Sequence, residues 1–248
     1  MTNHPLQPPT TTDSVGTALI EDLVAANRVL ARERVLDGFG HVSVRHSQDA
    51  FRFLMSRSMA PELVTGADIM EYDLDANPVD ARGRVSYQER FIHSAIYRAR
   101  PDVIAVVHSH SPSLIPFGVS SVPLRPVYHM AAFMGEGIPV FDIRQSSGIT
   151  DMLVSDANRA RGLVEVLGSG NAALMRGHGA VVVGATLPLV VARSIYLELN
   201  ARLQREAIGL GGPVTYLDPQ EAQQMMDGGE HNGYERPWQL WKLKAMDR

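Results

Sequence analysis

His108-Ser109-His110 is the strongest chemical signal in this sequence. Residues i and i+2 of a strand project from the same face, so this spacing can set two imidazoles on one metal ion. The competing account has one ring capping the strand's backbone and the other packed in the core. A further histidine, His178, sits between Gly177 and Gly179. Bare backbone on both sides lets a ligand or another chain segment approach closely, although such a turn by itself is ordinary. Jointly, the three histidines can close a metal site that keeps open positions for substrate. Glu89 adds a carboxylate able to be a ligand at rest and a proton shuttle once substrate displaces it. Its competing role is the closing residue of a capping box begun by Ser86. His93, four residues on, offers a rival Glu-x-x-x-His pair, against the ordinary fate of a lone helical histidine as a packed or solvated bystander. The sequence has no cysteine. Any metal must therefore be held by His, Asp or Glu, a donor set for hard or borderline divalent ions.

These residues need elements to position them. Helical spacing of Leu19, Leu23, Val24, Leu30 and Val35 predicts an opening helix over Val15–Leu36, ended at Asp37-Gly38. Alternation from Gly38 to Arg45 and a short run from Phe51 to Met55 predict a hairpin. A short strand is expected over Ile69–Leu74, and a helix from about Ser86 to Arg100, before Pro101. Asp102–His110 follows as a strand whose centre, Val103-Ile104-Ala105-Val106-Val107, is apolar throughout, as burial on both faces requires. Strands are expected at Ile138–Ile143, Ala172–Met175 and Ala180–Val183, and helices at Ser155–Leu167 and Leu187–Ile208. This alternation gives an α/β layered domain on a mixed sheet.

At 248 residues, 45% hydrophobic and 20% charged, the chain suits one large globular domain with appendages. The expected division is a flexible arm over residues 1–13, a catalytic domain over 14–210 and a C-terminal tail over 211–248 that packs on the domain or on a neighbouring subunit. A net charge of -4 leaves no basic footprint for nucleic acid. The longest mostly apolar run, Ala180 to Ala192, contains Gly184, Thr186 and Pro188 and is shorter than the ~20 residues of a spanning helix. Neither nucleic acid nor membrane is expected as a partner. Met1–Thr12 has no secretory pattern, so a cytoplasmic location is expected.

The order and spacing of Gly38-Phe39-Gly40-His41-Val42-Ser43-Val44-Arg45, Ser86-Tyr87-Gln88-Glu89, His108-Ser109-His110 and Gly177-His178-Gly179 resemble the class II aldolase/adducin family. The similarity spans about Val15 to Leu210, and four ordered motifs are far more specific than any one. The resemblance implies a three-layer α/β/α sandwich around a mixed, largely antiparallel sheet. It also implies one divalent ion per subunit on His108, His110 and His178, Glu89 as acid/base, and a cyclic homotetramer with active sites between subunits. Zinc, manganese, cobalt or iron would suit such a donor set.

The departures bear on substrate. Sugar-phosphate aldolases of this family usually carry Asn in the early glycine motif, Thr-Gly after the second strand and Ser-Ser before the glutamate, all gripping phosphate. Those places read His41, Ser58-Met59 and Ser86-Tyr87 here, which removes donors that phosphate needs. Arg57, in Met55-Ser56-Arg57-Ser58, can instead grip a carboxylate through two parallel hydrogen bonds, the alternative being a surface ion pair. Arg52–Arg57 and Arg125–Met130 are similar to the decarboxylase branch of the family. That branch removes CO2 from hydroxylated aromatic or pyridine dicarboxylates, such as dihydroxyphthalates and a vitamin B6 breakdown intermediate. The expectation is therefore a metal-dependent, non-oxidative carboxy-lyase of catabolism acting on a small carboxylate through an enolate or phenolate. Arg57 would bind a carboxylate, with His41, Ser56 and Tyr87 as further pocket residues and His129 as a rival acid. The alternatives are a class II aldolase for an unphosphorylated or hydroxy-acid substrate, and a non-catalytic, adducin-like interaction module. Tyr216, Tyr234, Trp238 and Trp241 in the tail predict either subunit glue or a lid.

Overall fold

The computed structural model describes residues 16–228 and 234–247. The proposed arm, residues 1–13, lies outside them. Helix α1 (Thr17–Arg32) leads into strands β1 (His41–Arg45), β2 (Arg52–Ser56) and β3 (Ile69–Asp73), then helix α2 (Arg90–Ala99) and strand β4 (Ala105–Ser109). Short helix α3 (Ile115–Val119), a 3-10 segment (His129–Met134), β5 (Val140–Phe141) and α4 (Ile143–Ser147) precede α5 (Ala157–Leu167). The pair β6 (Ala172–Met175) and β7 (Gly179–Gly184) follows, then α6 (Leu187–Gly209), α7 (Pro219–Asp227) and α8 (Glu235–Met246).

The strands form a seven-stranded sheet in the order β3-β2-β1-β4-β7-β6-β5. All neighbours are antiparallel except β5 and β6. Strand alternation splits the core in two. Val42, Val44, Ala105, Val107, Ala180 and Val182 pack with Leu23, Leu30, Val190 and Leu197 of α1 and α6. Val106, Val181 and Val183 face the other way, onto Ile92 and Ile96 of α2 and Leu163 of α5. The result is the expected three-layer arrangement, and a strand apolar on both faces is its natural centre.

Two local expectations need correction. No helix starts at Ser86: α2 begins at Arg90, Glu89 is its N-cap residue without a side-chain capping bond, and the capping box is absent. The chain before it is held extended, with Ser58 N–H bonded to Val85 O at 2.7 Å. The strand expected over Ile138–Ile143 shrinks to Val140–Phe141, because Asp142 turns the chain by accepting Arg144 N–H and capping α4. The tail is helical. Trp238 of α8 is buried in the main core, and α8 packs on α1 and α6, so no described tail residue covers the cavity found below.

Gly179 lets β7 close onto β4. A Cβ there would run into the Ser109 carbonyl and lie 3.0 Å from His110 Cα. Gly179→Ala is expected to cost about 3 kcal/mol, the upper end of over-packing penalties, measured as a lower urea midpoint at unchanged slope. An unchanged midpoint would show that this contact yields without strain.

Candidate functional site

The site forms where β4 runs out. His108 has the same strand parity as Val106 and faces the α2 layer, and His110 lies two residues on, just past the strand. His178 is carried by the turn joining β6 to β7, where Gly177 adopts φ +63. Glu89 arrives at the N-terminus of α2. One candidate ligand atom from each of Glu89, His108, His110 and His178 lies within 4.8 Å of every other. The ring centroids are 5.1 Å apart for His108 and His110, and 5.0 Å from each to His178.

Each ring is anchored through Nδ1. His108 Nδ1–H donates to Ala180 O at 3.1 Å, His110 Nδ1–H to Asp37 Oδ2 at 3.0 Å, and His178 Nδ1–H to Met152 O at 3.2 Å. An acceptor at Nδ1 fixes the proton there and leaves a lone pair on Nε2. These lone pairs converge. His110 Nε2 and His178 Nε2 are 3.2 Å apart, while His108 Nε2 is buried without a hydrogen bond. Glu89 Oε2 stands 3.5 Å from His108 Nε2 and 3.4 Å from His178 Nε2, too long to count as strong bonds. Its Oε1 accepts the Val154 N–H at 2.8 Å.

A buried acceptor left unpaired costs about 1–3 kcal/mol, and facing lone pairs beside a carboxylate add repulsion. A shared cation relieves all of it. Three imidazoles and a carboxylate suit a borderline divalent ion, so the residues present fit the metal that the sequence resemblance implies. The electrostatics agree. Burial raises the Glu89 carboxyl, but the His108 and His178 rings outweigh it and hold the group well below the usual carboxylate range. Burial lowers His108 despite Glu89. At His178 the same carboxylate overcomes burial and raises the ring.

The cluster borders a cavity of about 650 Å³ lined by Phe39, His41, Tyr87, Glu89, His110 and His178, with Ser58, Val85, Met152 and Leu153 among the rest. No Lys or Arg appears among the described lining residues. Of the residues chosen from sequence, Glu89, His108, His110 and His178 come together, and His41 and Tyr87 line the cavity. Ser56 and Arg57 do not. Ser56 is buried behind the wall, its hydroxyl 3.5 Å from that of Tyr87. Arg57 holds the ion pair that stood as its alternative, Nε to Asp68 Oδ1 at 2.7 Å. His129 packs edge-on against Tyr128 at 4.9 Å, outside the lining.

Sequence reasoning missed the supports. Asp37 was seen only as a helix stop, yet it accepts the Phe39 and Gly40 N–H groups as well as His110. Met152 O and Val154 N–H are backbone groups with no side-chain signature. His93, which the sequence offers either as a rival partner of Glu89 or as a packed bystander, is fully buried and bonded to His41.

Comparison with known proteins agrees with this architecture. The Class II Aldolase and Adducin N-terminal domain matches residues 21–205. Decarboxylase tropJ of Talaromyces stipitatus is 33% identical over 244 residues, covering 90% of this chain and 92% of its own length. The 3,4-dihydroxyphthalate decarboxylase of Arthrobacter keyseri is 27% identical over 229 residues, covering 86% and 88%. Among solved structures, L-fuculose 1-phosphate aldolase from Glaciozyma antarctica PI12 superposes with a TM-score of 0.75 at 26% identity, covering 96% of this chain and 93% of that one. With that domain spanning most of its length and decarboxylases aligned almost end to end, this chain belongs to the class II aldolase and adducin family, on its decarboxylase branch.

Proposed function

We propose that this protein is a divalent-metal-dependent decarboxylase of a hydroxylated aromatic or pyridine dicarboxylate, such as 3,4-dihydroxyphthalate or 3-hydroxy-2-methylpyridine-4,5-dicarboxylate. The observation that carries the proposal is the convergence of three Nδ1-anchored imidazoles on Glu89 at the edge of a cavity. The cation, held by His108, His110 and His178, supplies a Lewis acid for the negative charge that gathers on the substrate's oxygens. Glu89, ionised at rest, takes the proton of a ring hydroxyl and delivers it to the ring carbon that loses CO2. The bond to Val154 N–H keeps its carboxylate aimed while the proton moves.

The rest of the lining suits a flat ring better than a sugar phosphate. Tyr87 spends its hydroxyl proton on Met59 O, so it offers the substrate a ring face. Phe39, Val85, Met152 and Leu153 extend that apolar wall. Arg57 pairs with Asp68 and lies outside the described lining, so it is assigned no substrate contact, while Ser56 braces Tyr87. A cytoplasmic homotetramer engaged in aromatic-acid breakdown is part of the same proposal.

Likeness to the Glaciozyma aldolase favours one further reading, aldol cleavage of an unphosphorylated hydroxy acid. Product identity separates the two. Metal-loaded enzyme given a panel of hydroxy-dicarboxylates is expected to release CO2, and release of an aldehyde from hydroxy acids instead would overturn the decarboxylase assignment. Glu89→Gln should lower kcat by about 10²- to 10⁴-fold in protein that still carries metal. Full turnover would remove Glu89 from proton transfer. Asp37→Ala should weaken metal binding by about ten- to a hundredfold in competition with a chelator, and an unchanged affinity would exclude His110 as a ligand.

A further inference from the structure

Behind the cavity wall runs a chain of buried polar side chains. His41 Nδ1 lies 2.6 Å from His93 Nε2, His93 Nδ1 2.6 Å from Ser43 Oγ, and Ser43 Oγ 2.7 Å from Tyr97 Oη. All four residues are buried, and of the four only His41 reaches the cavity. Two periodicities build it. His41 and Ser43 share one face of β1, while His93 and Tyr97 stand four residues apart on the face of α2 that meets them. Phe53 packs alongside, its ring 6.4 Å from that of His93 and 5.4 Å from that of Tyr97.

Each link of such a chain holds one proton, so the far end decides the direction of every bond. Tyr97 has a single proton and two acceptors in reach: Ser43 Oγ at 2.7 Å and Ile104 O at 3.4 Å. The Ile104 carbonyl, which also accepts Arg45 N–H at 2.7 Å, keeps a second lone pair but lies at the long limit of a hydrogen bond, so the much shorter contact to Ser43 takes the proton. Tyr97 therefore donates to Ser43, Ser43 to His93 Nδ1, and His93 from Nε2 to His41 Nδ1. His41 is left with its proton on Nε2, the nitrogen not engaged by His93. Burial holds both rings neutral, lowering His93 to about 3 and His41 well below its ordinary value, the latter helped by His93 and His108.

We propose that His93, Ser43 and Tyr97 are positioning residues that lock His41 as an Nε2–H donor toward an anionic oxygen of the substrate. The lock rests on the hydrogen-bond geometry alone, and the substrate half rests on the function proposed above. The cavity needs such a donor. Its described lining has no Lys or Arg, and the Tyr87 proton is committed to Met59 O. The opposite tautomer would aim a lone pair at the anion.

Nitrogen-15 NMR of the full-length, zinc-loaded protein, labelled at histidine, reads the tautomer directly, with the His41 signals identified by their loss in His41→Asn. The expected result is a protonated Nε2 and a bare Nδ1 on His41. A proton on Nδ1 instead would overturn the proposal. Ser43→Ala cuts the chain at its middle, so both His41 tautomers should appear and KM for 3,4-dihydroxyphthalate should rise severalfold with a smaller change in kcat. Ser43→Thr, which keeps the hydroxyl, should restore the single tautomer. A single unchanged tautomer in Ser43→Ala would reduce the chain to packing and sink the lock. A locked His41 in an enzyme that releases no CO2 would overturn the substrate half together with the proposed function, while the lock itself would stand.

Discussion

Nitrogen lone pairs with nowhere else to go dominate this structure. Three imidazoles are pinned from behind by Ala180 O, Asp37 and Met152 O, so none can turn its free nitrogen toward another partner. The pinning groups come from β7, from the loop after α1 and from the segment before α5. The sandwich has to bring all of them to one end of β4 before the cluster exists. Fold and site are thus one problem, since the sheet register that pairs His108 with Val181 also delivers the carbonyl of Ala180.

Much of this arrangement is legible in the residues. The apolar run ending in His108-Ser109-His110 reads as a central strand with two same-face ligands because strand alternation is strict. His178 is legible through its flanking glycines, one of which has a positive φ and the other of which abuts β4. Glu89 is harder. Its spacing from Ser86 satisfies a capping rule that knows nothing of the extended segment tied down by Ser58, Val85 and Met59. The carboxylate that the rule assigns to a helix end is instead drawn toward imidazoles and a distant N–H. The partners at Met152 and Val154 act through backbone atoms, which any residue type supplies, so their identities carry no signal. Arg57 shows the converse, a side chain of the right type whose nearest acceptor, Asp68, is local.

One frame holding both aldolases and decarboxylases is chemically reasonable. Both reactions break a carbon–carbon bond and must accommodate the released electron pair, so the same donor set serves either. The cavity wall of this chain is the part that bears on substrate. A lining of Phe39, Val85, Tyr87, Met152 and Leu153 is apolar and well matched to a planar ring.

β4 is hydrogen-bonded along both edges, to β1 on one side and β7 on the other. A ligand seated on such a strand is mechanically stiff, and displacing it means breaking two ladders at once. Adaptation to differently shaped substrates then falls to the peripheral loops that carry Phe39, Val85 and Leu153. Evolution can retune what this cavity accepts by editing the rim while the cluster beneath stays fixed.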